Sequence, residues 1–132
     1  MKKKIEVVAG VIFDDNKVLA TQRGYGKFEG LWEFPGGKIE PNETHKSALA
    51  RELKEELDIV VEVGEKLTTI NHQYPDFELV MYCYKTRIVG GEIKLLEHKA
   101  FCFVGADDIL DLNWLPADLG FVKELKNYLS QM

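Results

Sequence analysis

Cysteine is scarce in this chain. Cys83 and Cys102 sit in apolar, strand-like runs without CxxC spacing. That argues against a disulfide framework or a thiolate metal site and predicts two buried thiols. Long hydrophobic runs are also missing. No apolar stretch approaches the roughly 18 residues of a membrane helix. Lys2-Lys3-Lys4 could open a signal peptide, but Glu6, Asp14 and Asp15 break up the apolar segment that would have to come after it. Positive charge is in deficit, with 17 Lys and Arg against 22 Asp and Glu and a formal net charge of −5. This argues against polymeric nucleic acid as a partner. A small polyphosphate is still admissible, because a bound cation inverts the local field. Low-complexity segments, linkers and repeats are absent. The expectation is one cytoplasmic domain over residues 1–132, with no membrane partner and a core that 45% hydrophobic content can fill.

Strands are expected at residues 5–13 and 17–23, joined by a turn at Asp14-Asp15-Asn16. A glycine-rich loop covers 24–30, and a short extended piece ends at Pro35-Gly36-Gly37. Thr44 is a suitable N-cap for a helix reaching about Leu57. Its apolar stripe is read as Leu49, Ala50, Leu53 and Leu57. Further strand-like runs lie at 58–63, 66–74, 78–89 and 99–104. Gly90-Gly91 marks a turn, residues 107–110 a single helical turn. Pro116 can begin a second helix with Leu119, Val122, Leu125 and Leu129 buried. The fold class is α/β or α+β.

The informative segment is Gly37 to Ile59. Glu52, Glu55 and Glu56 lie within five residues on the first predicted helix. At roughly 100° per residue they share one side, about a third of a turn from the apolar stripe. Like charges at this spacing cost a helix a few tenths of a kcal/mol per pair, about 0.2–0.5. A hard divalent cation would offset that cost; a solvated acidic face is the plain alternative. The surrounding spacing decides. Gly37 is followed after five residues by Glu43, after seven more by Arg51-Glu52-Leu53, then Lys54, Glu55-Glu56 and a closing Ile59. The segment resembles the Nudix box of the Nudix hydrolases, which cleave a nucleoside diphosphate linked to another group. One position departs. Asp58 stands where the family usually has Gly, and Asp can take the left-handed conformation required there at modest cost.

The resemblance implies a mixed central sheet sandwiched between helices, with the box as loop-helix-loop. It implies Mg²⁺ or Mn²⁺ held by Glu52, Glu55 and Glu56, with the Gly36 carbonyl contributing. Such a cation neutralises phosphate charge and activates water. Arg51 and Glu43 match positions that pair to hold the loop on the helix. Glu97 matches a further glutamate of MutT-type enzymes, either a fourth ligand or the general base; a surface role is the alternative. His98, His45 and His72 read as surface or hydrogen-bonding histidines. Arg23 and Lys38 are placed to meet phosphates.

The likeness extends along LWEFPGGKIEPNET, QYPDFEL, LLEH and LNWLPAD to the MutT-like branch, which includes 8-oxo-dGTP diphosphatase and CTP pyrophosphohydrolase. There a residue after Pro-Ala contacts the base; here it is Asp118. An ionised Asp only accepts hydrogen bonds, which suits the cytosine amine or the N–H edge of a purine and shifts the expectation from 8-oxoguanine towards cytosine with both still open. The alternative for Asp118 is an acid at a helix N-terminus. Phe34 and Tyr74 can stack on a base or belong to the core, while Trp32 and Trp114 read as packing residues. The function expected is metal-dependent hydrolysis of a nucleoside triphosphate to monophosphate and pyrophosphate, as in clearing damaged nucleotides that would burden DNA repair. A non-hydrolysing nucleotide-binding module and an ADP-ribose or dinucleoside polyphosphate hydrolase are the alternatives. The oligomeric state, monomer or homodimer, is left open.

Overall fold

The computed structural model describes residues 2–132. In chain order it contains β1 (Lys3–Asp14), β2 (Lys17–Gln22), β3 (Trp32–Glu33), β4 (Gly36–Lys38), α1 (His45–Leu57), β5 (Val60–Gln73), β6 (Phe77–Gly90), β7 (Ala100–Val104) and α2 (Leu119–Ser130). Single 3-10 turns at Ile109–Asp111 and Pro116–Asp118 precede α2.

β1 organises the sheet. Residues 3–12 run parallel to β6 along one edge. Along the other edge, residues 7–9 pair antiparallel with β4, and Phe13 and Asp14 pair with β2. β3 and β7 extend from β2, and β5 closes the far side on β6. Side chains of a strand alternate between faces, and β1 shows the consequence. Val8 and Ile12 join one apolar cluster with Leu49, Leu53 and Leu57 of α1. Ala9 and Val11 join a second cluster with Val122, Leu125 and Leu129 of α2. The helices therefore cover opposite faces of one mixed sheet, as the resemblance implied. Gly10 sits between them on β1; a Cβ there would press on Leu53 Cδ1 at 3.2 Å, so glycine lets α1 seat closely.

Several local expectations need correcting. The runs at 58–63 and 66–74 are one strand, β5, which bends through irregularities between Val63 and Thr68. The extended piece does not end at Gly37: it is short strand β3, and Gly36–Lys38 form a separate strand β4. Ala48, not Ala50, is buried on α1, and Leu119 is exposed at the start of α2. Pro116 begins the 3-10 turn, not α2 itself. Cys83 is buried, Cys102 half-buried, and both are free thiols.

α1 is bounded as its sequence predicts. The Thr44 hydroxyl accepts a hydrogen bond from the Ser47 amide. At the other end Asp58 adopts the left-handed conformation with φ 56°, and its amide donates to the Lys54 carbonyl. Its carboxylate also accepts from Lys54 Nζ at 2.9 Å. Asp58→Ala puts a side chain with no such local bonds into that conformation and is expected to destabilise the protein by about 1–2 kcal/mol. Asp58→Gly relieves the backbone and should stay within about 1 kcal/mol of the parent. Urea denaturation checks this; equal losses from both variants would contradict the role given to the backbone.

Candidate active site

The helix angle divides the three glutamates of α1. Glu56 lies seven residues after Leu49, two turns, so at roughly 100° per residue it falls only about 20° from the apolar stripe. Its side chain is accordingly buried, with the residue 4% exposed. Glu55 points away, its side chain 56% exposed. Glu52 lies between, half-buried. The three do not share one environment, contrary to the expectation of a common side set apart from the apolar stripe.

Glu56 opens into a cleft of about 370 Å³ on the sheet beside α1. Arg23, Phe34, Gly36, Lys38, Glu52, Glu56, Tyr74 and Glu97 all line this cleft. Arg51, Glu55 and Asp118 do not line it. Glu33 and His98 do, and neither was selected from the sequence as a functional residue. The signal for Glu33 was a lone acid between Trp32 and Phe34, which alternation puts on the opposite face from Phe34.

Two glycines admit the helix carboxylate. A Cβ on Gly36 would overlap the Val8 carbonyl oxygen, and a Cβ on Gly37 would overlap the Glu52 carboxylate. Glycine is therefore required at 36, where β4 meets the β1 backbone, and at 37 it leaves room for the Glu52 carboxylate in its present position. Arg51 fixes the loop on the far side of β4. Its Nε and Nη2 donate to the two Glu43 oxygens at 2.7 and 2.8 Å. Nη1 donates to Glu52 at 2.9 Å and Glu55 at 3.2 Å, and Nη2 to the Lys38 carbonyl at 3.2 Å. The fork holds Glu43 at a pKa of about 2, chiefly through these hydrogen bonds.

The opposite condition holds at Glu56. Burial first, then the neighbouring carboxylates of Glu52, Glu33 and Glu97, push its pKa up to about 10. The His98 imidazole lies beside it, Nε2 3.7 Å from a Glu56 carboxyl oxygen. Among the described residues no group of three or more His, Cys, Asp and Glu side chains is arranged to hold a metal ion as it stands; Arg51 engages both Glu52 and Glu55. The donor set nevertheless fits a hard cation. It consists of carboxylate oxygens with the glycine backbone beside them, and it concentrates negative charge at a buried point that lacks a positive partner.

The rest of the cleft is aromatic. Tyr74 packs against Phe28, His72 and Phe77 with ring centroids 4.5–5.4 Å apart, and its hydroxyl accepts from the Ala117 amide at 3.3 Å. Phe34 is buried and packs on Trp114 and Phe121, so most of its ring belongs to the core. Asp118 corrects an expectation. It is fully buried behind the cleft, both carboxylate oxygens lack partners, and burial raises its pKa well above the ordinary range. Burial without a partner disfavours the ionised, accept-only form of Asp118 on which the base-reading expectation relied.

Comparison with known proteins agrees with this architecture. The NUDIX domain family matches residues 3–125. The CTP pyrophosphohydrolase of Escherichia coli is 36% identical over 118 residues, covering 89% of this chain and 87% of that protein. The 8-oxo-dGTP diphosphatase of Proteus vulgaris is 42% identical over 106 residues, covering 79% and 93%. A solution structure of a MutT protein of the Nudix hydrolase family from methicillin-resistant Staphylococcus aureus superposes with a TM-score of 0.75 at 38% identity, covering 97% and 99%. The chain belongs to the Nudix hydrolases.

Proposed function

We propose that this protein is a divalent-cation-dependent nucleoside triphosphate pyrophosphohydrolase, releasing a nucleoside monophosphate and pyrophosphate. The observation that carries this reading is the buried Glu56 carboxyl, surrounded by Glu52, Glu33 and Glu97 in a cleft that also holds Arg23 and Lys38. A Mg²⁺ or Mn²⁺ ion held by Glu52 and Glu56, with the Gly36 carbonyl, would supply charge neutralisation and an activated water. Arg23 and Lys38 bind the triphosphate oxygens. Glu97, exposed at the cleft mouth, is suited to take the proton from the attacking water. Tyr74 and Phe28 wall the space for a base. The names of the Escherichia coli and Proteus vulgaris relatives support a CTP-type or an 8-oxo-dGTP substrate, and with it a role in cleansing the nucleotide pool. Asp118 is fully buried and does not line the cleft, so it gives no ground for preferring cytosine over 8-oxoguanine.

Incubation with Mg²⁺ and a panel of 8-oxo-dGTP, dCTP, 5-methyl-dCTP, CTP and ADP-ribose tests the reaction. Pyrophosphate and a monophosphate are expected from at least one triphosphate. Orthophosphate with a diphosphate would contradict the reading, as would binding by calorimetry without turnover. Glu56→Gln should lower kcat by at least about 100-fold, since even outer partners of a metal ligand are worth about 10–100-fold.

Glu56 also sets a pH dependence. Its folded pKa lies above the ordinary value, so the folded state keeps a proton that the unfolded chain releases. The stabilisation from that proton is complete below about pH 4.5 and is lost as pH rises toward about 10. Asp118 shifts in the same direction. The metal-free protein should thus become less stable to urea as pH is raised from about 6 to about 9, by up to about 1.4 kcal/mol per pH unit for each retained proton. Glu56→Gln should flatten the profile; an unchanged slope in that variant would assign the effect elsewhere.

A further inference from the structure

Glu33 is a junction. One carboxylate oxygen accepts from Arg23 Nη1 at 3.1 Å, the other from His98 Nε2 at 3.0 Å. The three residues come from different segments: Arg23 comes just after β2, Glu33 ends β3, and His98 precedes β7. Those segments are already locked together. The Lys99 amide donates to the Gln22 carbonyl at 2.9 Å, and β3 and β7 flank β2. Gly24 passes so close to the backbone of Glu97 and His98 that a Cβ there would meet the Glu97 carbonyl oxygen at 2.9 Å. The His98 side chain is only 6% exposed. A carboxylate oxygen can only accept, so Nε2 carries a hydrogen and donates it to Glu33. Nδ1 is buried with no partner. An unpaired buried polar atom costs about 1–3 kcal/mol, which an apolar side chain here would avoid. His98 therefore occupies this place for the sake of its Nε2–H.

We propose that His98 is a positioning residue: by anchoring Glu33 it orients the Arg23 guanidinium toward the triphosphate. The inference rests on the phosphate-binding role given to Arg23 above. Arg has several rotatable bonds, and its side chain here is 37% exposed. A guanidinium held on one face by a fixed carboxylate loses less freedom when it meets phosphate. Glu33 can serve only while its second oxygen is fixed, and His98 is the donor that fixes it. The contact between His98 and Glu56 is 3.7 Å, beyond hydrogen-bond reach. Acting through Arg23, which meets the phosphates on binding, the effect is expected to fall on KM more than on kcat.

The test is a set of variants assayed with the triphosphate that the wild-type protein turns over fastest. His98→Ala should raise KM about tenfold and leave kcat within about threefold. His98→Gln places an amide N–H near the position of Nε2 and should restore KM to within about threefold; His98→Asn is too short and should not. In the Arg23→Ala background His98→Ala should add nothing further. A loss confined to kcat, multiplicative effects in the double variant, or a Gln variant as impaired as Ala would overturn the proposal. Where His98→Ala does not fold, as judged by thermal denaturation, the Gln and Asn variants decide. If the wild-type protein turns over no triphosphate, the proposed reaction fails separately. The same variants are then compared by calorimetry with CTP, where a matching pattern in Kd supports the role of His98 and its absence overturns it. A metal-free readout is ¹⁵N NMR of the His98 ring: Nε2 should be protonated in the parent, and Glu33→Ala should disturb that signal. A signal unmoved by Glu33→Ala would also overturn the proposal.

Discussion

A carboxyl group placed on the inner face of a helix, among other carboxyls, is the constraint on which this site depends. Leaving water disfavours the ionised form of Glu56, and the charges of Glu52, Glu33 and Glu97 disfavour it again. Only a proton or a cation resolves that situation. The helix tolerates it because Leu49, Leu53 and Leu57, the same stripe that buries Glu56, anchor α1 on Val8 and Ile12. Packing thus supplies the free energy that holds an acid where an acid would not choose to be.

The glycines and Arg51 make the rest of the arrangement possible. β4 has no side chains at Gly36 and Gly37, so the Glu52 carboxylate and the β1 backbone can both approach it. Arg51 then uses its fork on Glu43 and its remaining donors on Glu52, Glu55 and the Lys38 carbonyl. One guanidinium ties the loop, the strand and the helix into a single charged scaffold. An Arg can do this because its donors lie in a plane and reach several acceptors at once; a Lys ammonium could not reproduce the bidentate pair with Glu43.

Much of this was legible in the sequence because it is local. The N-cap at Thr44, the helix to Leu57 and the left-handed Asp58 obey short-range rules. The spacing from Gly37 to Ile59 located the acidic helix. Residues 5–13 were legible as a strand, while its burial on both faces between two helices was implied by the resemblance alone. Two kinds of feature escaped. The inward position of Glu56 was readable from its two-turn offset from Leu49, but grouping it with Glu55 by charge concealed it. The junction of Arg23, Glu33 and His98 was not readable, since Glu33 and His98 are 65 residues apart and meet only because β3 and β7 approach β2. Nor could composition reveal that Asp118 is sealed from water, because its neighbours are fixed by the turn before α2.

Asp118 and Glu56 show how one physical effect yields different chemistry in two places. In both, burial disfavours the ionised form in the absence of a cation. Glu56 faces an open cleft, so a cation entering from solvent can replace its proton. Asp118 has no such access, being 0% exposed and outside the cleft wall that Tyr74 forms beside it. No cation from solvent can reach it to stabilise the ionised form. A net charge of −5 is thus no obstacle to an anionic substrate at this site. The charges that matter locally are those at the cleft wall, where Arg23 and Lys38 are positive and the carboxylates create demand for a cation.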